Sequence, residues 1–362
     1  MSIVCYALFA SDVGMGIQLD AAARLVHGSA RLGASERPRA MPRYLSFKQP
    51  PLRLLQRVEP PRIGSQVVSD QVELVAFDFG AVSVTYRIRV DGDLARALAL
   101  SAELDESVVL FADSRRRVEA LLEVIAPAVT RPQIAEFVED YLVFQVDDAE
   151  AAATDPARLI ASNRQLIAQI LRSEWRPLSP HEIDDALASR IGYEAGEEAV
   201  IDWNAAILVQ REIEDVRTVL EYVNVELLEL RWLDNQLDQA LDRSYEMLSG
   251  RSATPRGWRR TFPLIPDREI RAVARLQMDN ALLFEGVTNA LKLVGDQYLA
   301  RLYRLAAQRM RIPEWHANIL RKLQVAESIH EKLSDQAARR RLEVLEWIII
   351  ALIALSTVMM FV

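Results

Sequence analysis

The chain has 362 residues, enough for two folded units. Hydrophobic residues make up 51% and charged residues 26%, a globular balance that excludes a large disordered tract, and the net charge of −8 argues against a dedicated nucleic-acid binder. One cysteine, Cys5, excludes an intrachain disulfide framework and any cysteine-based zinc site and suits a reducing compartment.

Ile3 to Ala10 is β-branched and aromatic enough for a buried strand. It is too short and lacks the basic lead of a signal peptide, so the soluble mass is expected to stay inside the cell. Leu19 to Val26 predicts a short helix. From Arg24 to Arg62 nine basic residues face only Glu36 and Glu59, and prolines at 38, 42, 50, 51, 60 and 61 cut the stretch into loops and short strands. Few aromatics interleave, so a solvated surface is favoured there over a phosphate-binding one. Val72 to Val90 alternates on either side of Gly80 and predicts two adjacent strands. Helices are expected at Leu94 to Leu104 and Ser114 to Ile125, with a strand at Ser107 to Phe111 between them. Phe137 to Val146 predicts a strand, and Pro156 to Arg172 a helix.

Ser179-Pro180-His181-Glu182 has the form of a capping box with proline at the first helical position, which gives the Glu182 carboxylate a structural task. Ala199 to Val209 alternates as a last strand, with Ile201, Trp203, Ala205, Ile207 and Val209 on one face. After it, Ile213, Val216, Leu220, Val223, Leu227, Leu230, Asp234, Leu237, Leu241 and Leu248 fall on alternating steps of three and four residues, with Ser244 filling the one remaining position, a coiled-coil-like seam. Leu220, Leu227, Leu230 and Leu237 are the expected packing contacts, within the chain or between copies. Asp234 on that seam either fixes register or turns outward to water.

Glycines and three prolines stop the helix in the loop 250–266. Its Arg251, Arg256, Arg259 and Arg260, with Trp258, form a basic cluster suited to lipid headgroups or RNA, against the plainer reading of solvated or paired arginines. Asp267 is expected to cap a second long helix to Arg311, and Ile312-Pro313 to start a third. From Trp347 on, the last stretch carries no charge and predicts a C-terminal membrane anchor, although it reaches only about 24 Å against a hydrocarbon core of about 30 Å. Arg339, Arg340, Arg341 and Trp347 are the expected membrane-interface residues, with the soluble part on the cytoplasmic side of an inner membrane.

No Walker loop, GxGxxG, HExxH, GxSxG or calcium-loop spacing occurs. His27, His181, His316 and His330 are scattered. No catalytic residue, metal site or cofactor is expected.

The runs Phe77 to Val82, Asp105 to Phe111, Val200 to Val209, Glu214 to Asp242 and Leu345 to Leu355 resemble the domain-of-unknown-function-155 family, which includes the mitochondrial proteins named "required for meiotic nuclear division" and many bacterial members. That resemblance implies an α+β domain, long antiparallel helices, one C-terminal transmembrane helix, and homo-oligomeric support of translation for the mitochondrial relatives; it brings no catalytic residues. One departure is Ser356-Thr357, where relatives often keep a glutamate.

The expected architecture is therefore α+β: a mixed α/β domain over 1–210, coiled-coil-like helices over 211–344, and an anchor over 345–362. The expected function is a non-catalytic, homo-oligomeric membrane scaffold or tether. The alternatives are an oligomeric ion channel of CorA-like layout lined by Ser356 and Thr357, and an RNA or ribosome tether through the basic loop.

Overall fold

The strand expected at Ile3 to Ala10 is β1, Ser2–Asp12, and it lies near the middle of a nine-stranded sheet. The computed structural model describes residues 2–27, 34–36, 45–47, 49–64, 66–105, 107–147, 155–194, 196–248, 291–293 and 297–360. In chain order β1 is followed by β2 (Gly16–Ile17), α1 (Leu19–His27), β3 (Ala34–Glu36), β4 (Leu45–Phe47), β5 (Leu52–Arg57), β6 (Val67–Ala76) and β7 (Ala81–Asp91). Next come α2 (Leu94–Leu104), α3 (Val108–Ile125), β8 (Val129–Thr130), β9 (Glu139–Asp147), α4 (Pro156–Ser162), α5 (Arg164–Arg172) and α6 (Pro180–Ala186). The chain continues through β10 (Arg190–Ile191), β11 (Glu198–Ile201), β12 (Ala205–Val209), α7 (Glu214–Leu248), β13 (Leu291–Leu293), α8 (Gln297–Arg309) and α9 (Ile312–Met360).

The sheet runs β10-β11-β12-β9-β1-β7-β6-β5-β3. Only β12 and β9 pair in parallel; every other neighbouring pair is antiparallel. The turn between β6 and β7 needs glycine: Gly80 has φ +113°, and a Cβ there would stand 1.8 Å from the Gly14 carbonyl oxygen. That approach ties the start of β7 to the end of β1, where the Val13 N–H donates to the Gly80 carbonyl at 2.9 Å.

The chain divides into two compact units, 1–232 with 285–314, and 233–284 with 315–362. The first holds the sheet, its flanking helices and the first half of α7. In the second, Asp234 of α7 is met by Lys322 Nζ at 2.7 Å and by Asn318 Nδ2 at 3.1 Å, both from α9, so the polar seam position is matched inside the chain.

Four local expectations change. Ser107 to Phe111 is not a strand but the entry to α3, because Val108 and Val109 are 79% and 51% exposed and the burial of Leu110, Ser114, Val118, Leu121 and Ile125 follows a helical period. Ala199 to Val209 is a hairpin, with the Asp202 N–H donating to the Ala205 carbonyl at 2.9 Å and Trp203 at the turn 55% exposed. The helix expected from Pro156 to Arg172 breaks at Asn163, whose Nδ2 donates to the Leu159 carbonyl. The second long helix expected from Asp267 to Arg311 falls partly outside the described residues; within them it is overturned at Leu291–Leu293, which pair as β13 with β4, and helix is found only at Gln297–Arg309, as α8.

The membrane anchor is corrected. Among the described residues no helix is long and apolar enough to cross a membrane. The uncharged part of α9, 347–360, rises only about 21 Å against about 30 Å of hydrocarbon, and Glu343 and Glu346 stand at its head. The single-pass inner-membrane placement falls with it, and the interface and pore roles that presuppose a span are not carried further.

Candidate functional site

Alternate residues of a strand face opposite sides of the sheet, and the two sides differ in chemistry. On β1, Ile3, Cys5, Ala7 and Phe9 join an apolar core with Val84, Tyr86 and Ile88 of β7 and with residues of α2 and α3. The opposite positions on neighbouring strands include Arg53, Glu73, Thr85, Asp12 and Gln145, all buried. The first half of α7 covers this second side, and from Val216 to Glu226 every residue of α7 is buried, Arg217, Glu221, Asn224 and Glu226 among them. A helix whose apolar residues mark only one seam is thus enclosed all round, which forces its polar side chains to find partners in the interior.

At one end of the layer they find them as ion pairs. Arg53 Nη1 lies 3.0 Å from Glu73 Oε1, and Arg217 Nη2 lies 2.8 Å from Glu73 Oε2 and 3.0 Å from Glu214 Oε2. Arg53 Nη2 donates to Thr218 Oγ1 at 3.3 Å and stands 3.5 Å from Glu221 Oε2, an ion pair without hydrogen-bond geometry. The Arg217 guanidinium also sits 5.4 Å from the centre of the Tyr6 ring. Burial pushes the Glu73 carboxyl up, but Arg217 and Arg53 more than reverse this and hold it below the usual range.

At the other end the pairing fails. Asp12, the last residue of β1, and Glu229 of α7 are 3% and 2% exposed, and neither forms an ion pair among the described residues. Burial pushes Asp12 up to about 8, despite a hydrogen bond from the Gly14 backbone. Burial and the nearby Asp12 charge together raise Glu229 well above the carboxylate range. On the same helix as Glu229, Glu226 Oε2 accepts from Tyr303 Oη of α8 at 2.8 Å, and Arg231 bonds the Glu139 carboxylate of β9.

A second knot closes the far edge of the sheet. Asp202, fully buried in the β11–β12 turn, accepts from Arg172 Nε at 3.0 Å and Arg309 Nε at 2.6 Å. Both arginines continue to Asp185 of α6, at 2.5 Å and 2.6 Å. Hydrogen bonds from Arg309 hold the Asp185 carboxyl down to about 2. The capping expectation is half met here. Ser179 Oγ accepts from the Glu182 N–H at 3.3 Å, but the Glu182 carboxylate goes to Arg172 instead of back to its own helix cap.

One open cleft of about 740 Å³ lies at the start of α1, lined by Gln18, Asp20, Arg24, Gln49 and Asp78; another, of about 590 Å³, is the apolar groove of Val108, Phe111, Ala112 and Val138. No group of three His, Cys, Asp or Glu side chains among the described residues is arranged to hold a metal ion.

Of the residues singled out in the sequence, Leu220, Leu230 and Leu237 are buried in the single chain and Leu227 is half-buried. Trp347 is 63% exposed, Arg339 is exposed, and Ser356 Oγ and Thr357 Oγ1 both donate to the Ile353 carbonyl of their own helix. Arg251, Arg256, Trp258, Arg259 and Arg260 lie outside the described residues. The layer under α7 was missed because its charged residues sit between seam positions, where a coiled coil exposes them. The available signal was Arg53 between Leu52 and Leu54 and Glu73 between Val72 and Leu74, single charges flanked by apolar residues inside expected strands.

Residues 2–215 match the family described as "Uncharacterized protein MJ0711, N-terminal domain". The chain belongs to that MJ0711 N-terminal-domain family. The match covers the sheet and its flanking helices and ends as α7 begins. A similar protein is "Uncharacterized protein MJ0711" of Methanocaldococcus jannaschii, 22% identical over 226 residues, which is 62% of this chain and 66% of the relative. No solved structure matches. This assignment overturns the resemblance to the domain-of-unknown-function-155 family. Much of that resemblance lay in Glu214 to Asp242 and Leu345 to Leu355, beyond the matched domain, where leucines and acids at helical spacing recur in any long packed helix.

Proposed function

We propose that the protein is a homo-oligomeric scaffold without catalytic activity, assembled through the last turns of α9. The observation that carries this is a run of uncovered apolar side chains: Leu342, Leu345, Trp347, Ile348, Ile349, Ile350, Leu352 and Ile353 are each between 49% and 63% exposed. Contiguous apolar exposure of this kind marks an interaction surface. Burying a Leu or Ile completely is worth about 1.5–3 kcal/mol, so covering the exposed halves of these side chains supplies on the order of 10 kcal/mol. That is comparable to the roughly 4–15 kcal/mol that association costs in lost freedom, so it supports assembly when a second copy adds matching contacts. The α7 seam is already used inside the chain, which leaves α9 as the surface for a partner copy. The ion pairs that enclose Glu73 and Asp202 support a structural role over a catalytic one.

The test is the mass of the purified full chain by light scattering, beside the double variant Ile349→Asp with Leu352→Asp and a chain ending at Arg341. A defined oligomer is expected for the full chain and a monomer for the other two. The same oligomer in all three would overturn the assignment to α9, and a monomeric full chain would overturn assembly itself.

A further inference from the structure

The uncovered side chains at the end of α9 follow a pattern. Leu342, Leu345, Ile349 and Leu352, each more than half exposed, stand at steps of three, four and three residues, and the sequence carries the spacing back to Ala338 and on to Ser356 and Met359. That is the repeat of a coiled-coil seam, with Leu342, Ile349 and Ser356 at its a positions and Leu345 and Leu352 at its d positions. Ser356 suits such a place: its Oγ donates to the Ile353 carbonyl of its own helix at 2.8 Å, so covering it strands no donor. The positions beside the seam, e and g, set the direction of the partner. In a parallel pair a g residue meets the e residue five places further along the other helix; here Ile348 at g leads to Ile353 at e, and Arg341 at g leads to Glu346 at e. Apolar thus meets apolar, and cation meets acid. Reversing the partner, with Leu342 still covered by Leu352, sets the exposed Glu346 beside Ile353 and removes its water without giving it a partner. Trp347 and Ile350 fall on the outer face, so the seam fixes the direction of neighbouring helices and not their number.

We infer that the last turns of α9 meet those of a second copy in parallel and in register, with Leu342, Leu345, Ile349 and Leu352 each against its own counterpart and Glu346 against Arg341 of the other copy. This rests on the assembly through α9 proposed above and gives it a direction. Counterpart positions on such a seam come within reach of a disulfide, whose Cα atoms stand about 4.4–6.8 Å apart. Residues 342 and 352 of parallel copies do not, being separated along the axis by about 15 Å.

The experiment is oxidative crosslinking of the full chain carrying Leu342→Cys, Ile349→Cys or Leu352→Cys, with copper phenanthroline as oxidant and the unsubstituted chain as blank, since the native Cys5 is fully buried. Each single variant is expected to link to its own kind, and a mixture of Leu342→Cys and Leu352→Cys chains of different tag length to give no mixed product. Mixed 342–352 links in place of same-site links overturn the inference and make the pair antiparallel. A charge exchange reads the same question without cysteines: Glu346→Arg is expected to weaken association about three- to tenfold, and adding Arg341→Glu to restore it. Association that stays weak in the exchanged chain overturns the pairing, and this arm decides where a cysteine variant does not assemble. A native chain that is monomeric by light scattering removes the assembly and the inference together, whereas an oligomer without same-site links or charge rescue removes the inference alone.

Discussion

Asp202 and Asp12 are both aspartates buried at strand ends, and they bear their charge in opposite ways. Asp202 is fully enclosed and shared by two guanidinium groups, at 2.6 and 3.0 Å; Asp12 is 3% exposed and forms no ion pair among the described residues. The first site uses arginines from α5 and α8 to keep a carboxylate ionised; at the second, burial pushes the Asp12 carboxyl up to about 8. The contrast teaches that burial alone does not fix a carboxyl's state. What fixes it is whether another element brings a donor into reach.

The comparison breaks most sharply if an arginine is taken from Asp202. Arg309→Ala is expected to destabilise the chain at neutral pH, toward the low end of the roughly 3–5 kcal/mol seen when one partner of a buried pair is removed, because Arg172 remains. Denaturant unfolding measures it, and a loss under about 1 kcal/mol would show that water replaces the guanidinium without cost. Its acid behaviour sharpens the contrast with Asp12. Asp185, held at about 2 by Arg309, contributes stability that is present above the ordinary range near 4 and is lost as pH falls through about 2. Asp12 runs the other way. Thermal midpoints of the native chain should therefore fall on the acid side through Asp185, and Arg309→Ala should flatten that limb while leaving the alkaline limb intact. The effect is modest, since the Asp185 side chain is 44% exposed and solvent screens it. The smallest expected change is Ser179→Ala, which removes the cap of α6, the helix that carries Asp185, at a cost of about 1 kcal/mol. A midpoint shift equal to that of Arg309→Ala would mean that the position of α6, not the charge, governs the knot.

The strands were legible where one side of the sheet is apolar. β1, β6, β7 and β9 appear close to their expected places because period-two alternation survives on the core side, whichever residues fill the other. The long helix at Glu214 was legible for the same kind of reason, its seam repeating every three or four residues. The expected strand at Ser107 to Phe111 failed because β-branched residues there meet water at a helix entry, and propensity yields to tertiary context.

The sequence by itself determined an α+β domain with a sheet followed by long helices, since periodicity is a local property that each segment carries alone. It did not determine which of α7's charged residues would be buried, because Arg217 and Glu229 look alike in sequence, both lying off the apolar seam. Only the tertiary structure decided that Arg217 meets Glu73, 144 positions away, while Glu229 is enclosed without an ion pair among the described residues. A charge's partner is set by which distant strand lies beneath it, and its energy by the water the packing excludes, and neither is encoded in the spacing of neighbours along the chain.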